Sequence, residues 1–179
     1  GSLSDDEWSR LARRMGEISE APLFIDDSPN LSMMEIRAKS RRLKQRHNLK
    51  LIVIDYLQLM SSGKRVENRQ QEVSEFSRQL KLMAKELNIP VIAISQLNRN
   101  SERSENKKPE LSHLRESGSL EQDANVVSVQ QNNDVGVADR EHARAGLADL
   151  IVAKQRNGPT GSIEVNFLGQ FSKFEDIKK

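Results

Sequence analysis

Two short apolar runs, separated by one long helical pattern, constrain the fold more than any other feature of the sequence. The first run is Leu51 to Ile54 and the second is Val91 to Ile94. Between them, apolar residues at intervals of three and four predict a helix over about residues 67–87, with an inner face formed by Val73, Phe76, Leu80, Met83 and Leu87. Strand, crossover helix and strand form a βαβ unit, and continuous apolar runs predict parallel strands that are buried on both faces. The sequence therefore predicts an α/β fold.

Capping signals predict two further helices. Ser4 to Glu7 and Ser32 to Glu35 both have the Ser-x-x-Glu form of a capping box. The first predicts a helix over about residues 5–19 with an apolar stripe. The second predicts a helix over residues 32–47 with a basic outer face. Such a face is typical of solvated helices, and contact with phosphate or an acidic partner is the alternative.

Other short apolar runs predict the remaining strands. Leu23 to Ile25 is read as a short buried strand, and a further strand begins at Val126. In that strand Ser128 and the glutamines interrupt the apolar pattern. Another strand over 150–153, a glycine turn over 157–161 and a final alternating strand predict a C-terminal hairpin; the alternating residues are Ile163, Val165 and Phe167.

Composition excludes several classes of site. The chain has no cysteine, so disulfides and thiolate metal sites are absent, and its three histidines show no metal-ligand spacing. Aromatic residues make up only 4%, which argues against a base-stacking platform. The net charge is only +2, so the whole molecule is not a basic nucleic-acid surface. No apolar run approaches the ~18 residues of a membrane span; we expect a cytoplasmic protein with no membrane partner.

Polar side chains follow both strands of the predicted βαβ unit. Asp55 ends the first strand, and Gln96 lies just beyond the second. In open parallel sheets, ligands bind outside the carboxyl ends of the strands. An aspartate at that edge suits Mg²⁺ bound with nucleotide phosphates, and an amide on the next strand suits sensing of the γ-phosphate. An aspartate at a strand end also commonly caps the following turn.

Two basic residues follow the strand at 150–153. Lys154 and Arg156 are two apart on an extended segment, so their side chains point the same way, and a glycine turn comes next. Two cations that point the same way suit binding of a polyphosphate, including the γ-phosphate of a nucleotide bound to a neighbouring subunit. An exposed hairpin tip with ordinary basic residues is the alternative.

A small polar stretch around Arg115, Glu116 and Gly118 is the third candidate. Glycine permits close approach of the backbone, and the small polar residues beside it offer N–H and O–H groups to phosphates. A joint between two helices needs the same glycine and is the alternative.

Four blocks occur together in one order: LIVIDYLQLM, ENRQQEVSEFSRQLKLMAKELNIPVIAISQLNR, LRESGSLEQDANVV and IVAKQRNGPTG. They closely resemble the C-terminal motor domain of the DnaB-type bacterial replicative DNA helicases, over nearly the whole chain. The resemblance implies a RecA-like fold, a mostly parallel sheet flanked by helices with a C-terminal β-hairpin. It also implies an ATP-driven ring, usually a homohexamer, that uses Mg²⁺, translocates on single-stranded DNA and unwinds the duplex ahead of the replication machinery. Primase and a helicase loader are the expected partners.

The resemblance also implies roles for the three candidates. Asp55 matches the aspartate that holds Mg²⁺, and Gln96 matches the strand-end residue that links the nucleotide site to the DNA-binding loops. Lys154 and Arg156 match the pair that reaches the γ-phosphate in the adjacent subunit.

By the same resemblance, Arg115, Glu116 and Gly118 match a loop that lines the central channel and touches DNA phosphates. The loop from Lys64 to Arg69 resembles another element that faces the channel.

The strand that begins at Val126 departs from the family, in which this strand is apolar and leads to a basic residue. Either one of its faces is exposed or the segment has diverged.

A second departure concerns the phosphate loop. The sequence contains no G-x-x-x-x-G-K-[ST] segment, and Tyr56 rather than an acid follows Asp55. We therefore expect residues 1–179 to be a partial RecA-like ATPase domain, incomplete on its N-terminal side. We expect this piece alone neither to bind ATP tightly nor to hydrolyse it.

Two alternative functions remain open. One is a RecA-like relative that serves recombination or circadian-clock signalling, which the block from Glu67 to Arg99 disfavours. The other is an interaction module without enzymatic activity, in which the basic helix 32–47 serves oligomerisation or docking of a partner.

Overall fold

The computed structural model describes residues 4–29, 31–60, 69–96, 118–132 and 146–177. Its elements, in chain order, are α1 Asp5–Glu20, α2 Met33–His47, β1 Ile52–Ile54, α3 Arg69–Leu87, β2 Val91–Ala93, α4 Gly118–Asp123, β3 Val126–Asn132, β4 Leu147–Gln155, β5 Gly161–Leu168 and β6 Lys173–Glu175. Short 3₁₀ turns lie at Leu57–Leu59 and Gly169–Phe171. Within these ranges, none of the helices combines the length and the apolar character that a membrane span needs.

The βαβ unit forms as predicted. β1 and β2 pair in parallel, with Ile52 opposite Val91 and Ile54 opposite Ala93. α3 is the crossover helix between them. Because the two strands run in the same direction, their carboxyl ends meet at one edge of the sheet.

The core of this unit is centred on α3. All five residues predicted to face inward from this helix are buried: Val73, Phe76, Leu80, Met83 and Leu87. Four of them pack in one cluster with Met33 of α2, Leu57, Met60 and Ile89. The helical period of three and four therefore predicted which face of α3 is buried.

The expectation that both strands are buried on both faces was wrong. Ile52 and Ile54 pack against the α3 cluster, but the alternate residues Val53 and Ile92 are 54% and 51% exposed. Successive side chains of a strand point to opposite faces. Within the described ranges, the face away from α3 carries no covering layer.

The second sheet is antiparallel, in the order β3-β4-β5-β6. The prediction of a mostly parallel sheet therefore holds only for β1 and β2 among the described strands; the other three pairings are antiparallel. The predicted C-terminal hairpin is confirmed by β4 and β5, and β6 extends it. Short connections explain the β4–β5 and β5–β6 pairings, because only antiparallel neighbours can be joined by tight turns.

β3 has the one exposed face that its sequence indicated. Val129 is buried, whereas Ser128 and Gln130 on the other face are exposed. Its pairing with β4 shifts register between Val127 and Ser128. This strand lies at an edge of the described sheet, where a half-polar sequence is expected.

α1 forms as predicted but is not buried. Its capping box is complete: the Ser4 backbone N–H donates to Glu7 Oε2 at 2.8 Å, and the Glu7 N–H donates to Ser4 Oγ. None of its residues is buried. The segment Leu23 to Ile25 is neither a strand nor buried, so that prediction was wrong. Three apolar residues are too few to form a strand without a neighbouring strand to pair with.

The outer face of α2 is partly engaged by a protein carboxylate. Arg37 and Arg41 both donate to the carboxylate of Glu86 on α3. These bonds lower the pKa of Glu86, with Arg41 the larger cause. Two of the basic residues therefore hold α2 against α3.

Candidate functional site

Asp55 follows β1 at the carboxyl edge of the parallel pair. The two strands continue together past it, because Ile94 donates its N–H to Ile54 and accepts from the N–H of Leu57, both at 2.9 Å. The Asp55 side chain is exposed. No described residue forms an ion pair or hydrogen bond with its carboxylate, which is therefore available to an external ligand.

Gln58 joins the ends of the two strands, although no sequence pattern singled it out. Its Nε2 donates to Ser95 Oγ at 2.9 Å and to the carbonyl of Gln96 at 3.2 Å. In return, the Gln96 N–H donates to Gln58 Oε1 at 3.4 Å. The structure thus brings Asp55 and Gln96 to one edge and fixes the backbone of Gln96 to the turn that follows Asp55. The only feature of the sequence that could have suggested a role for Gln58 is its position three residues after Asp55.

Lys154 and Arg156 meet at the C-terminal end of α4. Lys154 Nζ donates to the carbonyls of Glu121 and Gln122. The Arg156 guanidinium donates to the Gln122 carbonyl at 2.7 Å. The last carbonyls of a helix lack intrahelical partners and carry partial negative charge, so cations are stabilised there. The prediction that the two side chains point the same way is confirmed.

A third cation, Lys81 of α3, contacts the same end of α4. Its ammonium group donates to the carbonyl of Asp123 and to Asn125 Oδ1, the latter at 3.0 Å. Burial lowers the pKa of Lys81, and repulsion by Arg156 and Lys154 adds to the effect. No sequence pattern marks this lysine, because its contacts depend on how α3 and α4 pack.

Gly118 is the first residue of α4 and is exposed. A Cβ at this position would meet no atom within 4 Å. Its neighbour Ser119 donates to Ser74 Oγ of α3 at 2.8 Å. Arg115 and Glu116, as well as the loop from Lys64 to Asn68, lie outside the described residues, so their roles stay predictions.

The contacts of the cation pair do not include the acid. In the part of the chain that the structure describes, no hydrogen bond or ion pair joins Asp55 to Lys154 or Arg156. The same ranges contain no group of three or more His, Cys, Asp or Glu side chains able to hold a metal ion. Among the described residues, a cation at Asp55 would have this one carboxylate as a ligand and would leave room for phosphate oxygens and water. Mg²⁺ is commonly held in this way, by one or two carboxylates together with phosphate oxygens and water.

Comparison with known proteins identifies close relatives. The profile of the family described as DnaB-like helicase C terminal domain matches residues 1–176. The replicative DNA helicase DnaB of Mycobacterium leprae is 64% identical over the whole chain, which covers 29% of that protein. The corresponding helicase of Geobacillus stearothermophilus is 47% identical, again over the whole chain and 39% of its own length. The chain therefore spans about a third of the length of these relatives.

Two solved structures share the fold. One is described as an ATPase domain and superposes with a TM-score of 0.90 at 36% identity, covering 99% of this chain and 62% of the other. The second, a DnaB-like replicative helicase studied for its interactions with primase, gives a TM-score of 0.89 at 35% identity over 99% of this chain and 43% of its own. These matches confirm the predicted RecA-like α/β class.

Proposed function

The chain belongs to the DnaB-like helicase C-terminal domain family, and from this premise we propose that it forms part of the motor of a replicative DNA helicase. In the full-length protein, the motor hydrolyses ATP, translocates on single-stranded DNA and unwinds the duplex at the replication fork. Asp55, Gln96, Lys154 and Arg156 act at the nucleotide, and Arg115, Glu116 and Gly118 act at the DNA.

One observation carries the proposal: a single short helix connects the two proposed sites. α4 begins at Gly118, beside the proposed DNA loop, and ends where Lys154 and Arg156 donate to its carbonyls. A displacement of the cation pair at the nucleotide therefore acts directly on the element that begins at the DNA loop. Such a connection is what a nucleotide-driven translocase requires.

Asp55 suits the role of a Mg²⁺ ligand. Its carboxylate is exposed at the sheet edge where nucleotides bind in this type of fold. When bound, Mg²⁺ supplies charge neutralisation at the phosphates. Gln96, tied through its backbone to Gln58, holds the adjacent strand end at a fixed distance from Asp55. Its side chain is exposed and able to follow the state of the nucleotide.

Lys154 and Arg156 act on the nucleotide of the adjacent subunit. In this proposal, each site combines the acid of one subunit with the cations of the next. Such cations stabilise the charge that develops on the γ-phosphate during hydrolysis. This requires a ring, and we propose a homohexamer with single-stranded DNA in its channel. Primase and a helicase loader are the proposed partners, and the cytoplasm is the proposed location.

The first test is Arg156→Ala in the full-length helicase. We expect kcat for ATP hydrolysis to fall by roughly 10³-fold, the lower range for loss of an arginine finger. Nucleotide binding, measured by equilibrium titration, should change little. Arg42→Ala is the matched control, because Arg42 is an exposed arginine of α2. Loss of nucleotide binding in Arg156→Ala would contradict the assigned role.

Mixing subunits tests whether the cations act across the interface. Asp55→Asn and Arg156→Ala should each be inactive as pure rings. In a mixed ring, some interfaces place the intact Asp55 of an Arg156→Ala subunit against the intact Arg156 of an Asp55→Asn subunit. These interfaces should hydrolyse ATP, so part of the ATPase activity should return. If no mixture recovers activity, both residues act in the same subunit and the proposed arrangement is wrong.

A further inference from the structure

α4 is fastened along one face of α3 by a contact near each of its ends. Near its start, Ser119 donates to Ser74. At its end, Lys81 donates to the Asp123 carbonyl. Ser74 and Lys81 are seven residues apart, two turns of helix, and therefore lie on the same face of α3. α3 also supplies four of the eight buried residues of the core cluster, so α4 is attached to the helix that contributes most to that core.

Three cations share the carbonyl end of α4. Lys154 donates to the carbonyls of Glu121 and Gln122, Arg156 shares the Gln122 carbonyl, and Lys81 donates to the carbonyl of Asp123. α4 has only six residues, and the last four carbonyls of a helix have no hydrogen-bond partner within the helix. Most of the carbonyls of α4 therefore need donors from outside it. External donors therefore decide where this end lies.

Lys81 also contacts the residue to which the backbone of Arg156 is hydrogen-bonded. Its second acceptor is Asn125 Oδ1, at 3.0 Å. The backbone carbonyl of the same Asn125 accepts from the N–H of Arg156, also at 3.0 Å. Lys81 thus binds both the helix end on which the Arg156 guanidinium is seated and the residue to which the Arg156 backbone is bonded.

We infer that Lys81 is a positioning residue for Lys154 and Arg156. It anchors the end of α4 and Asn125 to α3, and so sets where the two cations are held before they reach the γ-phosphate of the adjacent subunit. The inference rests on the proposed function of this pair. Lys81 itself touches neither nucleotide nor DNA in this scheme. Its loss should slow the chemical step while leaving nucleotide affinity unchanged.

The experiment measures ATP hydrolysis by the full-length helicase ring with three variants. Lys81→Met removes the ammonium group and keeps most of the aliphatic stem, and Lys81→Arg keeps a positive donor. Lys85→Met is the matched control, since Lys85 is an exposed lysine one turn further along α3. We expect Lys81→Met to lower kcat roughly tenfold, the effect of losing one charge-assisted hydrogen bond. KM should stay within about twofold, Lys81→Arg should recover most of the rate, and Lys85→Met should match the wild type.

Asn125→Ala tests the same contact from the other partner. Asn125 is exposed, so its truncation should not impair folding or assembly. We expect Asn125→Ala to lower kcat less than Lys81→Met does. Adding Asn125→Ala to Lys81→Met should lower kcat no further, because both changes remove the same Lys81–Asn125 hydrogen bond. Should Lys81→Met fail to form rings, Asn125→Ala decides alone, and an unchanged kcat then overturns the inference.

The outcomes separate this inference from the proposed function. A wild-type ring without ATPase activity refutes the proposed function itself. An active wild type in which Lys81→Met behaves like Lys85→Met refutes only the positioning role. A fall in nucleotide affinity equal to the fall in rate, or no recovery in Lys81→Arg, also overturns it.

Discussion

Two helices of this chain carry equally regular apolar stripes, yet only one of them is buried. The stripe of α3 lies in the core, and Met83 within it is fully inaccessible. The stripe of α1 is exposed along its whole length; its members are Trp8, Leu11, Met15 and Ile18. The two helices differ in their surroundings and not in their pattern.

The difference teaches that a helical period predicts the side of a helix able to be buried, but not whether it is buried. α3 lies between β1 and β2, and the chain on either side of it supplies a surface to pack against. α1 is followed by Leu23 to Ile25, which is itself exposed. Among the described residues, α1 has a completed cap and an apolar face without a packing surface.

The largest expected effect comes from truncating the same residue type in each stripe. Leu80 is 5% exposed and Leu11 is 42% exposed. Leu80→Ala should lower the free energy of unfolding by about 3 kcal/mol, because burial is lost and a cavity remains. Leu11→Ala should change it by less than about 0.5 kcal/mol. Urea denaturation of the 179-residue chain measures both, and equal losses would show that α1 is packed in solution.

The capping boxes of α1 and α2 allow the same comparison between an exposed and a packed helix, with a smaller expected change in stability. Ser32→Ala removes the cap of α2, whose first residue Met33 is buried in the core cluster. We expect a loss of about 1 kcal/mol in global stability. Ser4→Ala removes the equivalent cap of α1, and should reduce helix content measured by circular dichroism with little change in the denaturation midpoint. A global loss from Ser4→Ala as large as that from Ser32→Ala would contradict the distinction.

The sequence predicted best those parts of the fold that depend on local pattern. Both capping boxes, the inner face of α3, the parallel pair and the C-terminal hairpin are confirmed. The predictions that went wrong concern burial and strand pairing. The second face of β1 and β2 is exposed, the segment Leu23 to Ile25 is neither a strand nor buried, and three of the four described strand pairings are antiparallel. Burial depends on what packs against an element, and a pattern within the element does not contain that information.

The candidate site divides in the same way. Topology alone places Asp55 and Gln96 at one edge, because parallel strands share their carboxyl ends. The spacing of Lys154 and Arg156 predicts that both point one way. Gln58 and Lys81 were missed since their partners are 37 and 42 or more residues away in sequence. Ordinary polar side chains acquire such roles only through tertiary packing.

Ion pairs in the two regions should differ in a further, smaller way. Glu86 bridges Arg37 and Arg41 across the α2–α3 contact, whereas Glu17 pairs with Arg14 within exposed α1. Glu86→Gln should lower the melting temperature measurably at low salt, and the difference should shrink at high salt as the charges are screened. Glu17→Gln should leave the melting temperature unchanged, since isolated exposed pairs contribute little. An equal shift for both would mean that the α2–α3 bridge adds nothing to packing.

The smallest expected effect lies at the boundary between the two regions, where Asp26 pairs with Lys39 of α2 at 2.6 Å. The bond to Lys39 is the main reason that the pKa of Asp26 is lowered from 3.8 to about 2, and Ser28 contributes. Because the folded pKa is depressed, the stabilisation is complete above pH 3.8 and is lost as the pH falls from there towards 2.

The difference in stability between wild type and Asp26→Asn isolates this contribution, because other carboxylates of the chain also titrate in acid. The difference should be constant near neutral pH and vanish as the pH approaches 2. The pair joins the exposed segment after α1 to a helix that packs on the core, so its strength measures how firmly that segment is held. An ordinary pKa for Asp26 in a carboxyl NMR titration would show that nothing fastens the segment there, and the exposed region would then begin directly before α2.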